Sequence, residues 1–133
     1  MTAEEEQCAL WNRLQNAKIS EIVRDGQVYR FRLEHQGLAS QFQPDFKHFY
    51  CNLYACTQFA LQPLPNDSTL LTDLPNIEKL SLHVAAARIG ATGVLVDCYA
   101  GKSKNEMRLR IKAGSMVVWD ENFDRVDQVL LGL

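Results

Sequence analysis

Apolar and charged residues alternate strictly from Val28 to Glu34, with Tyr29, Phe31 and Leu33 on one face and Val28, Arg30, Arg32 and Glu34 on the other. That period of two predicts a half-buried β-strand. A second run with strand character, Ile19 to Val23, precedes it, and Asp25-Gly26 lies between the two. A two-residue Asp-Gly loop predicts a type I′ hairpin, whose central positions both need φ > 0. The loop also sets a register. Arg24 is expected opposite Gln27, Ile22 opposite Tyr29, Ser20 opposite Phe31, and Glu21 opposite Arg30 as an outer pair of opposite charge. The stretch from Ile19 to His35 thus reads as the hairpin around which the chain is built.

The same reading extends along the chain. Thr2 and Glu5 have capping-box spacing, Glu4, Glu5 and Glu6 suit a helix's first turn, and Leu10, Trp11, Leu14 and Ala17 form one apolar stripe. This predicts an N-terminal helix packed on the hairpin that follows. Gly37 to Asp45 reads as a loop. Phe46 to Leu61 is ambiguous, but its aromatic and Thr content favours a strand, with Phe49, Cys51, Leu53, Ala55, Thr57, Phe59 and Leu61 on one side and Tyr50, Asn52, Tyr54, Cys56, Gln58 and Gln62 on the other. Pro63, Pro65, Asn66, Asp67 and Ser68 predict a break. Ile77 to Arg88 fits both a helix and an alternating strand, and the strand is preferred because strands follow it through short turns. Gly93 to Tyr99 predicts a strand, Ala100 to Asn105 a turn, Glu106 to Lys112 an alternating strand, and Met116 to Trp119 another, the whole forming a meander. Asp120 is expected to cap a last helix with Phe123, Val126, Val129 and Leu130 as its apolar stripe. The expected fold class is α+β, a mainly antiparallel sheet of about six or seven strands with a helix at each end of the chain.

Composition narrows the function classes. The 133 residues form one expected domain, 1–133, and 47% hydrophobic with 23% charged residues is a globular balance. Fourteen basic against 16 acidic residues give a net charge of −2, which argues against a nucleic-acid partner. No apolar run is long enough to span a bilayer, so no membrane partner is expected. The acidic opening MTAEEEQ lacks the features of a secretory signal, and the expected compartment is the cytoplasm. Cys8, Cys51, Cys56 and Cys98 are scattered singly, in the manner of reduced, buried thiols.

Candidate chemistry is sparse. Gly101-Lys102-Ser103 ends like a phosphate-binding loop, but Val96 stands where the required first glycine should be and a strand follows. His48, Cys51 and Cys56 include zinc-ligand types, yet no Cys-x-x-Cys occurs, and on a strand His48 and Cys51 point to opposite faces. No Gly-x-Ser-x-Gly elbow is present, so no catalytic residue, metal ligand or cofactor is assigned. The outer faces of two strands carry the one surface feature of interest. Arg30 and Arg32 on one, with Arg108, Arg110 and Lys112 on the other, form a cationic stripe if those strands are neighbours, extended by Lys102 and Lys104. The ordinary alternative is a solvated face compensated by Glu21, Glu34, Asp97 and Glu106. Such a stripe suits an acidic protein partner better than DNA.

From Leu14 to Leu33 the wording (LQNAKISEIVRDGQVYRFRL) resembles the opening of small bacterial immunity-type proteins of polymorphic toxin systems. Those begin with a Leu-His-Asp-Ala-x-Ile phrase and continue into an Asp-Gly hairpin; here Gln15 and Asn16 stand where His and Asp are usual. The resemblance implies a mostly β protein that binds a partner stoichiometrically. The expected function is therefore non-enzymatic protein binding, with homo-oligomerisation left open. Two alternatives are a curled sheet enclosing a small apolar ligand between Tyr29, Phe31, Phe49, Phe59 and Trp119, and an enzyme of a kind the sequence does not specify.

Overall fold

The computed structural model describes residues 1–63, 68–101 and 105–132. Its elements in chain order are α1 (Ala3–Arg13), β1 (Lys18–Asp25), β2 (Val28–Glu34), α2 (Gln36–Ala39), β3 (His48–Tyr54), β4 (Gln58–Gln62), α3 (Leu74–Glu78), β5 (Leu82–Ile89), β6 (Val94–Ala100), β7 (Glu106–Lys112), β8 (Ser115–Trp119) and α4 (Asp127–Leu130). Among the described residues the strands form one eight-stranded antiparallel sheet in the order β4-β7-β6-β5-β1-β2-β3-β8. The chain is therefore α+β, with a helix near each end and a slightly larger sheet than expected.

That order carries a geometric constraint. β3 is seventh in the sheet and β4 first, yet only Ala55, Cys56 and Thr57 join them. A flat sheet would hold them about 29 Å apart at the usual strand spacing, while such a short link reaches about 14 Å at most. β7 and β8, second and eighth, are joined by Ala113 and Gly114 alone. The sheet must curl. The ladder that pairs Tyr54 with Ser115 resumes, after a corner, with Gln58 opposite Lys112. At that corner Gly114 N–H donates to the Tyr54 carbonyl and Thr57 N–H to the Lys112 carbonyl, both at 2.8 Å. Ala55 bends the chain at φ 49°, and a Cβ on Gly114 would sit 3.1 Å from the Ala55 Cβ, so the corner favours glycine there. β3 with β4, and β8 with β7, thus behave as two long bent strands, and the ring of neighbours closes through β6, β5, β1 and β2.

Alternation fills the inner side. Tyr29, Phe31 and Leu33 of β2, Phe49, Cys51 and Leu53 of β3, Val94, Val96 and Cys98 of β6, and Leu109 and Ile111 of β7 are buried. α1 begins at an N-cap Thr2 whose capping box with Glu5 is complete, as its spacing predicts. It packs chiefly on β5 rather than on the hairpin, with Leu10, Trp11 and Leu14 fully buried. Trp11 reaches across the curl to stack on Phe31 at 5.7 Å and 15°. Phe31 and Tyr29 in turn meet Phe59 of β4 at 6.1 and 5.0 Å. Rings from strands far apart in the sheet order therefore share one core, which only a curled sheet permits.

Several expectations are corrected. The hairpin loop is Gly26-Gln27, with Asp25 opposite Val28, Arg24 opposite Tyr29 and Val23 opposite Arg30. Only Gly26 has positive φ, 61°, the sign pattern of a type II′ loop. A bulge between Ser20 and Val23, with Glu21 at φ 53°, re-phases β1 so that Ile19 and Ile22 both face inward and Val23 is left 56% exposed. His35 caps the one-turn helix α2 within the expected loop, its Nδ1 accepting the Leu38 amide at 3.0 Å. The single strand expected from Phe46 to Leu61 is broken at the corner, where Ala55 and Thr57 are exposed and Cys56 is buried. The strand preferred for Ile77 to Arg88 is present from Leu82, where β5 begins, while Ile77 and Glu78 end the short helix α3. β8 leaves the meander to pair with β3. Asp120 closes a turn instead of capping a long helix, its Oδ1 accepting the Asn122 and Asp124 amides at 2.9 and 3.0 Å. Val126 and Leu130 are buried, but Phe123 and Val129 are exposed. The expected break from Pro63 to Ser68 falls partly on 64–67, and the turn from Ala100 to Asn105 partly on 102–104, outside the described residues.

Trp11→Ala should lower stability by about 3–5 kcal/mol, the usual loss for emptying a buried tryptophan site, as read by urea unfolding followed by circular dichroism. A loss within about 0.5 kcal/mol, typical of a surface position, would show that Trp11 does not fill the curl.

Candidate functional site

The five cationic residues singled out in the sequence do not form one stripe. All lie on strands of the same sheet, but β6, β5 and β1 separate β7 from β2. On β7, Arg108 pairs with Asp97 of β6 at 3.2 Å, and Asp97 also holds Arg88 at 2.6 Å. Arg110 donates to Gln62 Oε1 at 3.2 Å. Lys112 is exposed at the far end of the strand. Those neighbours engage Arg108 and Arg110 as members of a solvated sheet face. Lys102 and Lys104 lie outside the described residues.

Arg30 and Arg32 have different surroundings. They stand on the outer face of β2, where Arg32 is opposite Tyr50 and Tyr50 is opposite Trp119, while Arg30 is opposite Asn52 and Asn52 is opposite Val117. These rows border a cleft of about 400 Å³ lined by Glu21, Arg30, Arg32, Tyr50, Asn52, Tyr54, Trp119 and Phe123 among others. The segment after β8 returns Phe123 to this face, where it stacks on Tyr50 at 4.7 Å and 10° while remaining 66% exposed. Phe123 has a φ of 61° within the turn closed by Asp120. Asn52 Nδ2 donates to the Tyr54 hydroxyl at 3.0 Å, fixing that ring beside the cleft.

One end of the cleft is held by a charged cluster. The β1 bulge brings Glu21 to Arg32, Oε2 to Nη1 at 3.2 Å. Arg32 Nη2 lies 3.2 Å from His48 Nδ1. Guanidinium can only donate, so a hydrogen bond between these atoms requires Nδ1 to accept. His48 Nε2 and Arg32 Nε are both buried with no hydrogen-bond partner among the described residues. Glu121, from the turn after β8, accepts the backbone amides of Lys47 and His48 and lies 3.6 Å from His48 Nδ1. Burial first, and then the Arg32 guanidinium, hold His48 below the ordinary imidazole value against the pull of Glu121, Glu34 and Glu21. The Lys47 amide is the main cause that lowers Glu121 from the usual carboxylate value.

Other chemistry is not assembled. Cys8, Cys51, Cys56 and Cys98 are free thiols. Burial pushes Cys56 up to about 11 and Cys98 up to about 12, and raises Cys51 well above an ordinary thiol, which disfavours the nucleophilic thiolate. His48 and Cys51 do lie on opposite faces of β3. Among the described residues no group of three His, Cys, Asp or Glu side chains is placed to hold a metal ion, and no helix is long and apolar enough to cross a membrane. The aromatic residues expected to enclose a ligand are divided: Tyr29, Phe31, Phe49 and Phe59 are packed in the core around Trp11, while Trp119 faces outward. A further cleft of about 530 Å³ lies at the loop end of β2, walled by Arg24, Gln27, Thr57 and Gln58 beside Tyr29 and Phe59.

Sequence reading found Arg30, Arg32 and Glu21 on one outer face but missed Tyr50, Tyr54, Trp119 and Phe123 as parts of the same surface. The signal for two of them was present: Tyr50 and Tyr54 are large rings on the polar phase of an alternating strand. No family model, no curated protein and no solved structure matches this chain.

The depressed His48 value has a pH consequence. A group whose folded value is lowered contributes stability above its unfolded value, near 6.5, and that contribution is lost as pH falls through the folded value. Wild-type stability should therefore fall, as pH drops from above 6.5 through the lowered folded value, by more than that of His48→Gln, as measured by urea unfolding at each pH. Equal declines would show that the imidazole is not held neutral by the fold.

Proposed function

We propose that this protein is a non-enzymatic binding module that holds a protein partner stoichiometrically, as immunity-type proteins do, against the outer face of β2, β3 and β8. The observation that carries this reading is the concentration of Tyr50, Tyr54, Trp119 and Phe123 with Arg30 and Arg32 around one open cleft. Aromatic residues and arginine are the side chains enriched at the centres of protein interfaces, where they supply most of the binding energy. Phe123 gives the reading its sharpest support, because a large apolar ring at 66% exposure gains from being covered.

The net charge of −2 and the scarcity of unpaired cations on this face argue against nucleic acid. The raised thiols and the distribution of histidines favour a binding role over nucleophilic catalysis. The resemblance of Leu14 to Leu33 to immunity-type openings falls on the link that follows α1 and on the β1–β2 hairpin, the strand pair that supplies Glu21, Arg30 and Arg32.

Parallel affinity capture from an extract of the source cell, with wild type, Phe123→Ala and Lys112→Ala as baits, tests the reading by quantitative mass spectrometry. A protein enriched by wild type and by Lys112→Ala should be depleted about tenfold or more by Phe123→Ala, the effect of losing an interface anchor. Equal recovery by Phe123→Ala would move the interface elsewhere, and no enrichment with any bait would end the protein-binding reading.

A further inference from the structure

The chemistry of the occupant follows from the charges of the cleft, on the reading that this face is the binding face. Three charged residues line it, Glu21, Arg30 and Arg32. The single acid is committed to Arg32. Arg30 stands exposed opposite Asn52, and its side chain makes no hydrogen bond or ion pair with any described residue. The cleft is therefore cationic on a chain whose net charge is −2, and its free cation is a planar fork suited to a carboxylate.

The remaining wall is aromatic. Tyr50 and Phe123 form a parallel stack at 4.7 Å, and Trp119 lies next to Tyr50 across the β3–β8 ladder. A volume of about 400 Å³ accommodates a few side chains of a protruding segment, not a domain face. We infer that the cleft takes a short acidic segment of a partner protein, with one large apolar or aromatic side chain laid on Tyr50, Trp119 and Phe123 and a neighbouring Asp or Glu in the Arg30 fork. A single-stranded nucleic acid would use the same rings, but its backbone places a phosphate at every nucleotide and calls for a track of cations. Here Arg32 is already neutralised by Glu21, and Arg108 is paired with Asp97 on distant strands. The observations favour the acidic segment.

Selection of a displayed library of random dodecapeptides on immobilised wild-type protein tests this directly, with a twelve-residue oligothymidylate assayed alongside. The enriched peptides should carry Asp or Glu next to Trp, Phe, Tyr or Leu. Their affinity should fall at least tenfold for Arg30→Glu and for Arg30→Ala, while Lys112→Glu leaves it unchanged. Circular dichroism should be the same for all variants, since both positions are exposed. Enrichment of neutral or basic peptides, no enrichment, indifference to both Arg30 variants, or oligothymidylate binding in place of peptide binding would each overturn the assignment. If any of these occurs while Phe123→Ala still loses a captured protein, only the acidic occupant is removed and the protein-binding reading stands.

Discussion

Two short links set the architecture. Ala55 to Thr57 and Ala113–Gly114 each join strands six places apart in the sheet order, and neither could span a flat sheet. Curling is therefore imposed by connectivity, and the corner is where its local cost is met, through the positive φ of Ala55, the close approach at Gly114 and the two ladder bonds that continue across the bend. A curled sheet has an inside that one layer of its own side chains does not fill. α1 supplies what is missing. Trp11 stacked on Phe31, with Leu10 and Leu14 beside it, occupies the concave side, and burial of so much apolar area is the main favourable term for a chain of this size.

Filling the inside decides where function can lie. The rings that alternation sends inward, Tyr29, Phe31, Phe49 and Phe59, are packed in the core. The convex face, where binding is proposed, is uneven. On β6 and β7 its charges answer one another through Asp97 and Gln62. On β2, β3 and β8 it carries aromatic rings and an uncommitted Arg30. The β1 bulge and the turn at Asp120 sharpen the contrast, since one delivers Glu21 to Arg32 and the other returns Phe123 onto Tyr50.

The sequence disclosed what depends on neighbours in the chain. The capping box at Thr2, the alternation of β2 and β7 and the inward set of β3 follow from spacing alone and stand in the structure. What it hid depends on partners distant in the chain. The run from Phe46 to Leu61 alternates almost evenly, and nothing local in Ala55-Cys56-Thr57 announces a corner whose cause is the pairing with Lys112 and Ser115. The hairpin register departs first at the loop, which is Gly26-Gln27 and not Asp25-Gly26, and a bulge at Glu21, paired with Arg32 across the ladder, shifts the pairing again beyond Val23. The candidate site was half legible. Arg30 and Arg32 were visible as an outward pair, whereas their separation from Arg108 and Arg110 is a matter of strand order, which spacing does not encode.

Closure of the sheet around α1 puts one tryptophan inside and the other on the outer face proposed for binding. Trp11 is 0% exposed, and Trp119 borders the outer cleft. Acrylamide quenching of Trp119→Phe, which leaves Trp11, and of Trp11→Phe, which leaves Trp119, measures this directly. Trp11 alone should emit at short wavelength and resist the quencher, while Trp119 alone should emit further to the red and be quenched readily. If Trp11 in the folded protein is quenched as easily as Trp119, the sheet does not close around the helix.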